Sequence, residues 1–182
     1  MKNKIIICGG NGAGKSTLGK ALAEKTGWVF RDIEDYYFPK TCAEYAYAVS
    51  RTEEEVTRLL YEDLKKYDNL ILAAVRGNYS KEIEAMFTCA VFVNVSKEIR
   101  MKRVWGRSYK KFGDRMLEGG DLYEREKSFF DMIEKRSDKT VTDWLDAMNI
   151  PIITVDGTQA IEVSVAEIID KLSDMNNNQN SH

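Results

Sequence analysis

Glycines, a lysine and a serine near the N-terminus have the types and the spacing that hold phosphate. The stretch GGNGAGKST, residues 9–17, fits the pattern Gly-x-x-x-x-Gly-Lys-Ser. Glycines let the backbone wrap so that N–H groups point at phosphate oxygens, while the lysine reaches the β and γ phosphates and the hydroxyl ligates Mg²⁺. The alternative is a glycine-rich turn with an incidental lysine. The stretch therefore predicts a site for ATP and Mg²⁺, lined by Gly10, Asn11, Gly12, Ala13, Gly14, Lys15, Ser16 and Thr17.

Three carboxylates follow in the stretch RDIEDYYFPK, residues 31–40. Carboxylates beside a triphosphate would repel it unless a cation intervenes, and Mg²⁺ prefers one or two carboxylates with water and phosphate oxygens. A carboxylate here can also accept the proton of an attacking hydroxyl. Because side chains alternate along a strand, Asp32 and Glu34 would share a face and Asp35 would be free to cap the next segment. We assign Asp32, with Ser16, to Mg²⁺ and Glu34 or Asp35 to the acceptor; the alternative is a solvated acidic turn.

Arginines at helical spacing form a second candidate cluster. Arg100, Arg103 and Arg107 lie three and four residues apart, so they stack on one helical face without an acidic residue placed to pair with them. This arrangement indicates an anion site, and the alternative is a solvated basic face. Arg103 can also lie on an adenine ring. Arg115, in the glycine-bearing stretch FGDRMLEGGDLY, can swing over the γ phosphate on closure and exclude water.

Length and composition fit one globular domain. The chain has 182 residues, 43% hydrophobic and 31% charged, and a chain of this length buries roughly 70% of its unfolded surface. It contains no apolar run of about 18 residues, and the run 5–8 is too short for a secretory signal, which favours a cytoplasmic protein without a membrane partner. His182 is the only histidine, so histidine catalysis is not expected. Cys8, Cys42 and Cys89 form no CxxC pair, and no zinc site or disulfide framework is predicted.

Charge is distributed unevenly along the chain. The net charge is −2, but residues 100–115 hold seven Lys or Arg against one Asp, so this segment carries +6 and the remainder −8. A nucleic-acid partner would need a longer basic track, whereas a local anion site needs only such a segment. We expect a small-molecule partner and a monomeric protein.

Apolar and polar stretches alternate in the way typical of an α/β protein. Short β-branched or apolar runs occur at 4–8, 28–32, 70–75, 90–95 and 152–155. A first helix is expected from the phosphate loop to Gly27, a second from the capping box at Thr52 and a third after Ser96. This pattern predicts a three-layer α/β/α fold with a five-stranded parallel sheet. Because ligands bind at the carboxyl ends of such strands, Asp32 is expected to face the phosphates.

These motifs together resemble the nucleoside-monophosphate-kinase-like group of P-loop kinases, which includes adenylate kinases and shikimate kinases. GGNGAGKSTLGKALAEKTG resembles the loop and first helix of the group, and FRDIEDYY resembles the Asp-x-Asp strand end of shikimate kinases with Glu34 as the second acid. RVWGR resembles the start of the adenylate-kinase lid, which implies that Arg103 stacks on adenine and Arg107 contacts phosphate. PIITVDGTQAIEVSVAEI resembles the last strand and adenine loop, which implies that the backbone at Gly157 and Thr158 reads the base.

Other stretches limit the resemblance. YKKFGDRMLEGGDLYE resembles a bacterial subgroup of such ATP-binding proteins whose substrate is unassigned, and RGNYS matches neither the adenylate-kinase nor the shikimate-kinase segment that grips the acceptor. The layout of the group implies a P-loop kinase domain at 1–174, an acceptor-binding segment at about 36–66, a helical lid at about 107–125 and a disordered polar tail at 175–182. The candidate acceptor residues are Tyr36, Tyr37, Tyr45, Tyr47, Arg51, Arg58, Arg76, Asn78 and Arg136.

The sequence thus predicts a phosphotransferase that moves the γ phosphate of Mg²⁺-bound ATP to a small acceptor carrying a hydroxyl or a phosphate. The alternatives are a nucleotide-dependent switch without a small acceptor and, less well matched, phosphorylation of nucleic-acid ends. The residues expected to act in catalysis are Lys15, Asp32, Glu34, Arg107 and Arg115.

Overall fold

The protein was analysed as a computed structural model that describes residues 2–39 and 50–179, without the side chains of Asn176, Asn178 and Gln179. In these ranges five strands form one parallel sheet in the order β2-β3-β1-β4-β5. The strands are β1 (Asn3–Cys8), β2 (Val29–Asp32), β3 (Asn69–Ala73), β4 (Cys89–Asn94) and β5 (Ile152–Asp156). Strand β1 pairs with β3 from Asn3↔Asn69 to Ile7↔Ala73, and with β4 from Ile5↔Cys89 to Cys8↔Phe92. The predicted five-stranded parallel sheet is confirmed.

Helices cover both faces of the sheet, as the continuous apolar strands require. Their bounds are α1 (Lys15–Thr26), α2 (Ile33–Tyr37), α3 (Glu53–Lys66), α4 (Lys81–Glu84), α5 (Lys97–Phe112), α6 (Tyr123–Lys135), α7 (Lys139–Asp146) and α8 (Ile161–Gln179). Helices α1 and α8 pack on one face through residues such as Leu22 and Ile168. Helices α3, α4 and α7 pack on the other through residues such as Leu60 and Trp144. The result is the predicted three-layer α/β/α architecture.

Local signals place the ends of the first two long helices. Gly27 ends α1 in the left-handed conformation at φ 71°, which a glycine adopts without the steric cost of a Cβ. Thr52 begins α3 with a complete capping box, because its side chain accepts the Glu55 N–H and the Glu55 carboxylate accepts the Thr52 N–H. Both ends agree with the sequence pattern.

The helical lid at about 107–125 stays a prediction. Within it, residues 107–112 continue α5, and a 3-10 turn (Gly113–Met116) follows, with Met116 and Leu122 buried. The predicted tail differs in part from the expectation. Helix α8 continues to Gln179, so residues 175–179 of the predicted disordered tail are helical, while 180–182 lie outside the described residues. The helix extends because Leu172 and Met175 carry its apolar side further along the core. None of the described helices combines the length and apolar character that a membrane span needs.

The strand order places a crevice above the middle of the sheet. From β1 the chain moves to β2 and β3 on one side and then to β4 and β5 on the other, so the helices diverge at the carboxyl ends of β1, β3 and β4. Ligands bind at such a divergence point in open α/β sheets. The phosphate loop leaves β1 directly into this crevice.

Candidate functional site

The phosphate loop is held in a conformation that only glycines allow. Gly12 and Gly14 have φ of 82° and 100°, in the left-handed region that side chains disfavour. A Cβ on Gly12 would also lie 2.4 Å from the backbone oxygen of Arg100, so the loop and α5 touch through their main chains. Helix α1 begins immediately afterwards at Lys15. The loop therefore presents its N–H groups together with the positive end of a helix, which suits phosphate.

A cavity of about 240 Å³ opens beside this loop and contains most of the predicted site residues. Here we name it the phosphate cavity. It is lined by Asn11, Gly12, Gly14, Lys15, Ser16, Thr17, Asp32, Ile33, Glu34, Ala73, Val75, Arg103, Val104 and Arg107. Of the predicted loop residues, Gly10 lines a neighbouring cavity and Ala13 is buried in the core. Residues from the loop, the end of β2 and helix α5 therefore meet in one place.

Lys15 is the central cation of the phosphate cavity. Its Nζ donates to the carbonyl oxygen of Gly10 at 2.9 Å, which folds the side chain back along the loop. The pKa of Lys15 is lowered to about 8, mainly by burial; the charge of Arg107 acts in the same direction, whereas Asp32 and Glu34 act in the opposite direction. The loop thus holds an ammonium group in a weakly solvated position, where an anion would stabilise it.

The affinity for ATP is expected to fall as the pH rises above about 8. Phosphates favour the charged form of Lys15, so its pKa is higher in the complex than in the free protein, and binding takes up a proton between the two values. In that range the affinity falls about tenfold for each pH unit. Calorimetry with a non-hydrolysable ATP analogue and Mg²⁺ across a pH series measures this slope. Lys15→Arg stays charged, so its affinity for the analogue should not change with pH over this range. A fall in affinity at the same pH in both proteins would contradict the assignment to Lys15.

Asp32 and Glu34 line the phosphate cavity, but not for the predicted reason. Strand β2 ends at Asp32 and α2 starts at Ile33, so Glu34 lies in a helix and strand alternation does not apply to it. The capping role expected of Asp35 belongs to Asp32, whose Oδ1 accepts the Glu34 N–H at 3.0 Å. Asp35 is exposed and does not line the cavity. Of the two candidates for the acceptor's base, the geometry favours Glu34.

The donor set at this point fits Mg²⁺. The Ser16 hydroxyl and the Asp32 carboxylate line the same cavity, and the Asp32 Oδ2 accepts no hydrogen bond from another described residue. Magnesium takes a small number of such hard oxygen ligands and completes its shell with water and phosphate oxygens. Ser16 and Asp32 are therefore the residues that would hold this ion.

Arg103 connects the phosphate loop to the loop after β5. Its Nη1 donates to the carbonyl oxygen of Ala13 at 3.4 Å and its Nη2 to that of Gly157 at 3.0 Å. Gly157 packs against the phosphate loop, since a Cβ there would lie 2.9 Å from the Ala13 oxygen. Thr158 turns back onto Asp156, whose Oδ1 accepts its N–H at 2.8 Å. The residues that the resemblance assigned to the adenine ring thus lie together at one end of the phosphate loop.

Arg103→Ala is expected to weaken ATP binding about tenfold, because a guanidinium that stacks on a ring contributes roughly 1 to 2 kcal/mol when partly desolvated. Lys102→Ala is the matched control. Lys102 is exposed and pairs with Glu98 one turn away, so its loss should change affinity by less than about twofold. Calorimetric titration compares the two variants. Equal effects would mean that the arginine face of α5 is only solvated.

The three arginines of α5 do not form the single cluster expected from their spacing. Arg107 lines the phosphate cavity with Arg103, whereas Arg100 is buried and donates to the Val95 carbonyl oxygen and to Asp138. Arg115 does not line the cavity either; its guanidinium makes a bidentate ion pair with Asp121 at 2.9 and 2.6 Å. No acidic residue lies at helical spacing from Arg100, but Asp138, 38 residues further along the chain, pairs with it, and helical spacing cannot reveal such a partner.

Several predicted acceptor residues are engaged within the protein. The Tyr36 hydroxyl donates to Asp63 at 2.6 Å, and burial together with this bond raises its pKa. Arg51 donates to the Tyr36 carbonyl oxygen at 2.7 Å, and Arg58 forms an exposed ion pair with Glu62. Two further candidates, Tyr45 and Tyr47, lie outside the described residues.

One contact at the phosphate loop had no counterpart in the sequence pattern. Arg136, expected only as a cation near the lid, donates to the Asn11 Oδ1 at 2.9 Å and so touches the phosphate loop. It reaches the loop from the end of α6, a distant element, which no local spacing could have indicated.

Known proteins with the same fold include kinases. A family model described as an AAA domain matches residues 5–131, and the chain belongs to this family. It is 26% identical over 181 residues to the Uncharacterized protein YqaC of Bacillus subtilis (strain 168), covering 95% of this chain and 99% of that protein.

Two solved structures share the fold over nearly the whole chain. A shikimate kinase from Bacteroides thetaiotaomicron superposes with a TM-score of 0.63 at 21% identity, covering 95% of this chain and 99% of that one. A gluconokinase from Sinorhizobium meliloti 1021 gives 0.62 at 18% identity, covering 100% and 98%. The predicted fold, the three-layer α/β/α arrangement of P-loop kinases of the nucleoside-monophosphate-kinase-like type, is confirmed.

Proposed function

We propose that the protein is an ATP-dependent kinase that transfers the γ phosphate of Mg²⁺-bound ATP to a small acceptor. One observation carries the proposal: Lys15, Asp32, Glu34 and Arg107 line a single cavity at the phosphate loop. Cations and carboxylates that converge at a helix N-terminus suit a phosphoryl group together with its metal and a proton acceptor. The relatives that carry kinase names support the same class.

In this proposal each residue acts on a stated atom. The loop N–H groups and Lys15 hold the β and γ phosphates, and Arg107 neutralises charge that develops on the transferred group. Magnesium, when bound by Ser16 and Asp32, neutralises the phosphate oxygens. The acceptor hydroxyl oxygen forms a bond to the γ phosphorus while the β–γ bridging bond breaks and ADP leaves, and Glu34 takes the hydroxyl proton. If a phosphate oxygen is the acceptor, no proton need be removed.

Arg103, Gly157 and Thr158 are proposed to hold the adenine end of ATP. The contact from Arg103 to Gly157 brings a planar cation and the backbone after β5 to one end of the phosphate loop. The segments at about 36–66 and 107–125 are proposed to close over the site. In the structure Arg115 pairs with Asp121, so its proposed contact with the γ phosphate requires that pair to open.

ADP release in the presence of candidate acceptors tests the proposal. Nucleosides, nucleotides, sugars and hydroxy acids are supplied one at a time with ATP and Mg²⁺. A kinase hydrolyses ATP slowly alone and releases ADP faster with one acceptor class. Intact ATP binding without a responding acceptor would instead favour a nucleotide-dependent switch that a macromolecule reads.

A further inference from the structure

A second cavity, of about 390 Å³, adjoins the phosphate cavity. We name it the Arg100 cavity. It lies between the start of the phosphate loop, the end of β4 and the helices α6 and α7, and it shares Asn11 and Val75 with the phosphate cavity. Its volume falls within the range of roughly 300–1,000 Å³ that small-molecule sites span. A molecule bound there would therefore lie next to the transferable phosphate.

The Arg100 cavity is positively charged. Lys97, Arg100 and Arg136 line it, and Asp138 is the one carboxylate among the described residues of its lining. Arg100 pairs with Asp138, whereas Lys97 donates to the carbonyl oxygen of Glu134 and Arg136 to the Asn11 amide oxygen. Arg136 also donates to the Met132 sulfur, so among the described residues two of the three cations have only neutral hydrogen-bond partners.

Burial and hydrogen bonds hold the Arg100 side chain in place in the wall of the Arg100 cavity. Its side chain is 9% exposed, and its Nε donates to the Val95 carbonyl oxygen at 3.1 Å. A Cβ on Gly10 would lie 2.1 Å from its Nη1, so the guanidinium lies flat against the phosphate loop. A buried guanidinium costs desolvation free energy, and a second anion beside it would offset that cost. Apolar side chains, including Phe92, Ile133 and Val141, form the rest of the wall.

A groove along the start of α3 has the opposite charge. Of the residues that the structure describes, Glu53, Glu54, Glu55 and Glu82 line it against one cation, Arg58, and none of them lines the phosphate cavity. The described arginines of the expected acceptor segment, Arg51 and Arg58, contact other residues of the protein. The Arg100 cavity adjoins the phosphate cavity and is positively charged. It is therefore a better site for an anionic acceptor than the groove along α3.

We infer that the Arg100 cavity binds the phosphate acceptor and that this acceptor is a small organic anion with a hydroxyl group. The inference rests on the proposed kinase function. The anionic group lies at Lys97 and Arg100, the carbon skeleton lies on the apolar wall, and the hydroxyl points through the opening at Asn11 toward the γ phosphate. A carboxylate and a phosphate ester would both satisfy the cations.

A matched series of compounds tests this inference by calorimetry. Glucose, gluconate and glucose 6-phosphate share a six-carbon polyol skeleton and differ in charge. Each is titrated into the protein with the phosphate loop filled by a non-hydrolysable ATP analogue and Mg²⁺, so that the compound cannot bind at the phosphate loop itself. We expect gluconate, glucose 6-phosphate or both to bind and glucose not to bind. The stronger of the two anions identifies a carboxylate or a phosphate as the preferred group.

Two variants and two controls connect the binding to this cavity. Lys97→Gln should weaken anion binding about tenfold, because one positive charge beside the anion is lost. Lys139→Gln should not, since Lys139 is also the first residue of its helix but does not line the cavity. Thr142→Phe should block binding by filling the cavity, whereas Thr140→Phe, on the same helix but outside the cavity, should not.

The outcomes separate this inference from the kinase proposal. Absence of anion binding, equal binding of glucose, or binding that Lys97→Gln and Thr142→Phe leave unchanged would overturn the inference. ADP release that rises with a neutral acceptor and is insensitive to Lys97→Gln would overturn it while the kinase proposal stands. Anion binding with the expected variant effects, but without ADP release from any acceptor, would instead count against the kinase proposal.

Discussion

Lys15→Ala is expected to reduce acceptor-dependent ADP release by about 10³-fold or more while the protein stays folded. Lys15 lies at the end of the phosphate loop and folds back onto it through its bond to the Gly10 carbonyl oxygen, and it lines the phosphate cavity together with Asp32, Glu34 and Arg107. A cation at the transferred phosphoryl group is worth about this much when it acts mainly in the transition state. Steady-state kinetics, with ADP release coupled to an optical readout, measures the loss.

Stability should change little in the same variant. Burial lowers the pKa of Lys15, which means that the native protein disfavours its charge, so removing that charge does not remove a stabilising interaction of the empty site. Thermal unfolding of Lys15→Ala should therefore occur at or above the temperature found for the unmodified chain. Lys20→Ala, an exposed lysine on the same helix, is the control and should retain activity. Turnover retained in Lys15→Ala would exclude the phosphate-loop assignment.

The sheet was predictable because its signals are local. The central strands β1, β3 and β4 are nearly continuous apolar runs, and five short runs separated by helical stretches leave a parallel sheet as the consistent arrangement. The same holds for the phosphate loop, where the spacing of Gly9, Gly14 and Lys15 encodes one backbone path. In both cases residues close in sequence decide the structure, so a single sequence is sufficient.

The arginines of α5 show what local sequence spacing cannot predict. Spacing places Arg100, Arg103 and Arg107 on neighbouring turns, but it does not say what each turn faces. The first turn of α5 lies under the phosphate loop and beside the start of α7, so Arg100 is buried against Gly10 and Asp138, whereas the later turns face the phosphate cavity. The pairing with Asp138 spans 38 residues and depends on the packing of α5 against α7.

The acidic stretch illustrates a different difficulty, which concerns where an element ends. The prediction that Asp32 and Glu34 share a face assumed an extended strand, but the Asp32 side chain caps α2 and turns the chain into a helix at Ile33. Aspartate favours both strand ends and helix N-caps, so its type alone does not choose between them. Asp32 and Glu34 still reach the same cavity because the turn of α2 lies directly above the end of β2.

Neutralising the three carboxylates one at a time should separate their roles. Asp32→Asn should raise the Mg²⁺ concentration required for turnover, since Asp32 and Ser16 are the proposed protein ligands of the ion. Glu34→Gln should lower kcat about 10²- to 10⁴-fold with a hydroxyl acceptor, the range that general acid–base groups contribute, and should leave the Mg²⁺ requirement unchanged. Asp35→Asn should change neither value, because Asp35 does not line the phosphate cavity.

The adjacent positions make this series its own control. Each of the three variants removes one negative charge within the same four residues of the chain, so the long-range electrostatic potential at the site changes similarly in each. Differences between the variants therefore reflect the position of each carboxylate in the site. Initial rates at several Mg²⁺ concentrations, with ATP binding measured separately by calorimetry, distinguish a metal effect from a rate effect. A large loss in Asp35→Asn with a small one in Glu34→Gln would transfer the role of base to Asp35. Equal small losses in all three would mean that the stretch is a solvated acidic turn and that Mg²⁺ is held by ATP and Ser16 without it.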